Sequence, residues 1–117
     1  MAEAKLKIRI SLGMQTAMGP GKADLLEAIQ RCGSISAAAK EMKMSYRRAW
    51  ELVDAMNHCF AQPLVHSVPG GGHGSGAHVT ETGLQVLKSY RDLESRVQSA
   101  CEKELQGITD HLAKDRD

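Results

Sequence analysis

The stretch Ser34-Ile-Ser-Ala-Ala-Ala-Lys-Glu-Met-Lys-Met-Ser-Tyr-Arg-Arg-Ala-Trp constrains the fold more tightly than any other part of the 117-residue chain. A short helix is predicted over Ser36 to Met42, with Ser36 as its N-cap and the run Ala37 to Ala39 at its centre. Those alanines allow a neighbouring helix to approach closely. Lys43-Met44 leaves room only for a turn. Ser45 then caps a further helix running towards Phe60, whose inner stripe is Ala49, Val53, Met56 and Phe60, at steps of four, three and four. Two helices joined by so short a turn form a helix-turn-helix.

The flanks complete a recognisable order. Residues 5–12 alternate Leu6, Ile8, Ile10 and Leu12 with Lys5, Lys7 and Arg9, the period-two pattern of a half-buried strand. Residues 14–21 form a connection, and Pro20 suits the start of a helix carrying Leu25, Leu26, Ile29 and Cys32 on one stripe. Gly33 ends it. After Pro63, two extended segments flank a tip with five glycines within residues 70–76, which describes a hairpin. Thr80 caps a long last helix, with Glu81 well placed against the helix dipole. Its apolar or small positions are Val86, Tyr90, Leu93, Val97, Cys101, Leu105, Ile108 and Leu112. From residue 81 to about 106, that helix would span roughly 36–39 Å, more than a domain this small can cover. The stripe Val86, Tyr90, Leu93, Val97, Cys101 and Leu105 is therefore expected to pair with a second copy. The fold class is mainly α with small β: a winged helix-turn-helix with an N-terminal strand and a long C-terminal dimerisation helix. Residues 1–80 form the DNA-binding unit, and residues 81–117 the helix and tail of the same domain.

Charge narrows the partner. The net charge is only +1, yet residues 1–60 carry nine basic and six acidic side chains, against six and eight in the remainder. Lys40, Lys43, Arg47 and Arg48 stand together with Glu41 alone opposing them, the kind of local cluster that attracts a polyanion. No run approaches the about 18 apolar residues of a membrane span, and the N-terminus lacks the unbroken apolar stretch of a secretory signal. A cytoplasmic protein is expected. Cys32, Cys59 and Cys101 are odd in number and far apart, which excludes a zinc ribbon and leaves each as a small buried apolar residue.

In a helix-turn-helix, the N-terminal residues of the second helix lie nearest the base edges of the major groove. Here they are Ser45, Tyr46, Arg47 and Arg48. Either arginine can pair with guanine O6 and N7 or clamp a phosphate. Ser34 and Ser36 offer hydroxyls and backbone N–H groups to a phosphate, and Lys43 in the turn suits a backbone contact. Gly71, Gly72, His73 and Gly74 at the wing tip let backbone approach the sugar-phosphate chain. Trp50, the only tryptophan, is expected in the core or in helix packing. One Phe and two Tyr besides are too few for recognising single strands by stacking, so the expected partner is double-stranded DNA.

Other chemistries fit poorly. The glycine tip lacks the Lys-Ser/Thr end of a phosphate-binding loop, and no helix follows it. His58 and Cys59 are adjacent on a helix and diverge, while His66, His73 and His78 flank the tip, so no metal site is expected. No nucleophile–base pair or carboxylate dyad stands out, so neither enzyme activity nor a cofactor is expected. A winged helix used purely for binding a protein partner is the alternative.

The segments Gly33-Ser-Ile-Ser-Ala-Ala-Ala39, Met44-Ser-Tyr-Arg-Arg-Ala-Trp50, Met56-Asn57, Leu64-Val65, the glycine tip, Thr80 and Gly83 together resemble the N-terminal DNA-binding domain of the ModE family of molybdate-responsive regulators. The first half of this pattern is shared with LysR-type regulators. The resemblance covers about residues 5–106 and implies a dimeric transcription factor on a two-fold-symmetric operator, linked to molybdenum genes. Family wings usually carry Lys or Arg near the tip, where this chain has His73. The full regulators carry C-terminal molybdate-binding modules for which this chain has no room, so molybdate binding of its own is not expected.

Overall fold

The computed structural model describes residues 4–68 and 76–113. Its elements run β1 (Ile10–Leu12), β2 (Gln15–Met18), α1 (Pro20–Cys32), α2 (Ile35–Glu41), α3 (Tyr46–Cys59), β3 (Val65–Val68), β4 (Gly76–Val79), α4 (Glu81–Ala100) and α5 (Glu102–Thr109). Strands pair only with their sequence neighbours, β1 with β2 and β3 with β4, both antiparallel.

Helix α1 is the hub. Pro20 supplies a preset φ at its start, where the missing N–H has no helical partner to lose. Gly33 ends it in the left-handed region at φ 77°, its N–H returning 2.8 Å to Ile29 O. Between these stops, Ala23, Leu25, Leu26, Ala28 and Ile29 are fully buried. Ile35, Ala38 and Ala39 of α2 and Ala49, Val53 and Met56 of α3 close over them. The small alanines let three helix backbones converge, and Leu25, Leu26, Ile29 and Met56 fill what remains. Each such side chain contributes about 1.5–3 kcal/mol by leaving water.

The β3–β4 hairpin sits on this body by backbone contact. Ala77 N–H donates to Gly33 O at 2.9 Å, tying the hairpin to the end of α1. Register pairs Val65 with Val79 and His66 with His78, so Val65 and Val79 face the core together. Thr80 then turns the chain: its hydroxyl donates to Pro63 O at 2.7 Å and accepts from Gly83 N–H at 3.0 Å, capping α4. At Gly83, a Cβ would run into the Leu64 carbonyl oxygen and, at 2.6 Å, into Val79 Cγ1. Only glycine lets α4 leave the hairpin so closely.

Several expectations need correction. The N-terminal strand over 5–12 is a hairpin, with β1 confined to Ile10–Leu12 and β2 formed by residues expected as a connection. Met18 of β2, not the Ile10–Leu12 face, enters the core, and Ile10 and Leu12 are exposed. The cap of α2 is Ser34, whose hydroxyl accepts from Ala37 N–H at 3.0 Å; Ser36 lies inside the helix, exposed. The long last helix is broken at Cys101, where φ −114° and ψ 27° separate α4 from α5. Cys32 is exposed and Cys59 and Cys101 half-buried, so none is a core residue. Tyr90, expected on the face offered to a second copy, is buried in its own protomer, its hydroxyl donating 2.6 Å to Ile8 O. Trp50 is the largest departure and belongs to the interface below.

Candidate nucleic-acid interface

The turn between α2 and α3 is tight because two backbone bonds close it, Lys43 N–H to Lys40 O at 3.2 Å and Met44 N–H to Ala39 O at 3.0 Å. This geometry puts Lys43 at φ 59°, the left-handed region that glycine occupies most readily. Lys43 is the only non-glycine residue so placed among those described. Ser45 then starts α3, its hydroxyl accepting from Arg48 N–H at 3.0 Å. That bond is the expected cap, and it leaves Tyr46, Arg47 and Arg48 on the first exposed turn.

α3 has two unlike faces. Ala49, Val53 and Met56 are buried against α1 and α2. On the outside, the Arg47 side chain is 88% exposed, its Nε 3.6 Å from the Glu51 carboxylate. Arg48, Lys40 and Lys43 are exposed as well. Both guanidinium-bearing residues, Arg47 and Arg48, thus stand on the exposed side of α3. Lys22 adds to this field from α1: burial pushes its ammonium below the ordinary lysine range, Cys59 opposes this, and the charge of Arg48 adds to it. Its Nζ donates to Thr16 O.

Trp50 is 47% exposed and Tyr46 56%, four residues apart on α3. The sequence expectation put Trp50 in packing. It stands about 100° around the helix from Ala49, outside the inner stripe, and that angle was the available signal. Asn57 was also missed as a positioning residue. Its Oδ1 accepts from Leu64 N–H at 2.8 Å and Val65 N–H at 3.1 Å, and its Nδ2 donates to Val65 O at 3.0 Å. One side chain thereby fixes the angle between α3 and the β3–β4 wing.

On the wing, His66 and His78 face each other across the strands with ring centroids 5.3 Å apart. The tip residues Gly71, Gly72, His73 and Gly74 lie outside the described residues. Among the described residues no group of three or more His, Cys, Asp or Glu side chains is placed to hold a metal ion. No helix there is long and apolar enough to cross a membrane.

Further from α3, Arg91 joins α4 to α1. Its Nη2 donates to Asp24 Oδ1 and Glu27 Oε1, each at 2.7 Å, and its Nη1 to Glu94 Oε1 at 2.9 Å. The hydrogen bond from Arg91 holds the Glu27 carboxyl below its ordinary value. An open apolar groove of about 290 Å³ lies between the β1–β2 hairpin and α4, with Ile10, Phe60, Val86 and Leu93 among its walls.

Comparison with known proteins places this geometry. The family described as "Bacterial regulatory helix-turn-helix protein, lysR family" matches residues 22–84, from α1 through the first turn of α4. The chain belongs to that family. It is similar to the molybdenum transport protein ModE of Azotobacter vinelandii, 40% identical over 105 residues, covering 88% of this chain and 39% of that protein. It is also similar to the transcriptional regulator ModE of Haemophilus influenzae, 37% identical over 98 residues, 84% of this chain and 38% of that one. The chain thus spans less than two-fifths of the length of these relatives. Among solved structures, the CbnR DBD in its complex with DNA superposes with a TM-score of 0.56 at 17% identity, covering 75% of this chain and 95% of that one. That likeness establishes the winged helix-turn-helix fold.

Proposed function

We propose that this LysR-family chain is a dimeric, sequence-specific regulator of ModE type that binds double-stranded DNA at a two-fold-symmetric operator. The observation that carries this reading is the exposed cationic start of α3, where Lys43, Arg47 and Arg48 all stand on the surface. α3 enters the major groove, Arg47 and Arg48 address guanine edges or phosphate, and Ser34, Ser36, Lys43, Ser45 and Tyr46 hold register on the backbone and groove walls. Arg47 would exchange its intramolecular Glu51 partner for DNA, which costs little because an exposed pair of this kind is weak. The wing, with Gly71 to Gly74 at its tip, lies along the adjacent sugar-phosphate chain.

The dimer reading rests on the apolar positions that the protomer leaves uncovered. Leu93 and Ile108 are exposed, and Val86, Val97, Cys101 and Leu105 are half-buried. With the Ile10–Leu93 groove beside them, they form a surface suited to a second copy. The name of the Azotobacter vinelandii relative, a molybdenum transport protein, supports a link to molybdenum genes.

Selection from a random duplex pool tests the reading. A palindromic site with half-site centres about 10 base pairs apart is expected, with affinity falling by about 0.9 in log units per log of salt for each phosphate neutralised. Arg47→Ala or Arg48→Ala should cost about 1–3 kcal/mol if that side chain reads a base. Equal binding by both variants would remove α3 from the groove.

A further inference from the structure

We propose that Trp50, together with Tyr46, is the apolar reader of this interface and contacts thymine C5-methyl groups in the major groove. The inference rests on the DNA-binding reading above and adds the base class that the aromatic side chains select.

The chain has four Phe, Trp and Tyr residues in all: Phe60 is half-buried and Tyr90 buried. The other two, Tyr46 and Trp50, stand half-exposed on the outer side of α3. A lone exposed leucine needs no explanation, but two large aromatic surfaces on one turn of one helix do. Their surroundings indicate the occupant. Lys43, Arg47 and Arg48 border the pair and call for a polyanion. Trp50 also lies seven residues before Asn57, on the same side of the helix, and Asn57 is the residue bonded to β3. Trp50 therefore occupies the side of α3 that leads towards the wing, inside the angle a duplex would fill.

Within a duplex the base faces are stacked and closed to the indole. The edges in the major groove present donors and acceptors, and their one apolar group is the thymine methyl. Arginine can use the polar edges. An indole or phenol ring gains by burying the methyl. Four residues of helix separate Tyr46 from Trp50 by about 6 Å, so the two rings address positions at most about two base pairs apart.

The test uses the full chain and a duplex it selects from a random pool. Each thymine of that site is replaced singly by deoxyuridine, which removes only the methyl. Affinities are measured for the wild type, Trp50→Ala and Trp50→Gln, with melting curves to verify folding; the second variant guards against misfolding of the first. At one or two thymines the wild type should weaken about fourfold, the worth of one buried methyl, while at one of those thymines, the position Trp50 reads, both variants bind thymine and uracil forms equally. The inference is overturned if the variants keep the full methyl penalty at every thymine where the wild type shows one, if the wild type shows none, or if the selected half-site contains no thymine. In each of those cases, loss of binding on Arg47→Ala would leave the DNA reading standing. A wild type that enriches no duplex would overturn both.

Discussion

From Glu81 to Tyr90, α4 is part of the core, whereas from Arg91 onward neither α4 nor α5 buries a single side chain among the described residues. In the first part Gly83 touches the Leu64 backbone, Leu87 enters the core and Tyr90 bonds to Ile8. In the second part the same three-and-four spacing continues through Leu93, Val97, Cys101, Leu105 and Ile108, none of which the protomer fully buries. Periodicity reports that a face needs cover and is silent about which molecule supplies it. Arg91 marks the border, bracing the helix against Asp24 and Glu27 just where full burial ends.

Substitutions on either side of this border should behave differently, and the largest effect falls on the anchored side. Gly83→Ala forces a Cβ into backbone that cannot yield, and should lower unfolding free energy by about 3 kcal/mol in urea titration. A loss below about 1 kcal/mol would mean that the start of α4 is not clamped to Leu64. Tyr90→Phe removes the bond to Ile8 O but keeps the ring, so a loss of about 1 kcal/mol is expected.

At the border itself, the prediction concerns acid. Glu27 has its folded-state pKa depressed by the hydrogen bond from Arg91, so its contribution is complete above the ordinary value of 4.5 and fades as pH falls through the lower folded value. Arg91→Gln should therefore flatten the fall in melting temperature below about pH 4.5, by less than about 1 kcal/mol because the pair is part-exposed. Identical acid profiles would remove Arg91 as the brace. Beyond the border, Ile108→Ser should change stability by less than about 0.5 kcal/mol in dilute protein. The same change should weaken the proposed dimer, raising its dissociation constant in sedimentation equilibrium, and an unchanged constant would take α5 out of that proposed interface.

The parts legible in the sequence were those with local chemistry. Pro20, Gly33, Ser45 and Thr80 mark helix ends by means that need no distant partner, and all four mark ends in the structure. Elsewhere, tertiary context decided. Ser34 and Ser36 are both competent caps, and only the extended backbone at Ser34, φ −156°, settles the choice. β2 shows no alternation because Ala17 and Met18 both turn inward, so its sequence reads as a loop. The break at Cys101 has neither proline nor glycine to announce it. Of the candidate interface, the cationic cluster and the start of α3 were legible, whereas the role of Asn57 was not: its three bonds go to Leu64 and Val65 at the entry to β3, a pairing no helical pattern displays.

Lys43 carries a consequence for anyone engineering this chain. A side chain at φ 59° is held where L-residues are disfavoured, so Lys43→Gly should raise the melting temperature, worth up to about 1 kcal/mol. The same exchange deletes a cation at the mouth of the proposed groove contact, and binding should become both weaker and less sensitive to salt. Thermostability and the proposed grip on a polyanion pull in opposite directions at this one turn, and screening for heat resistance alone would select against that proposed binding.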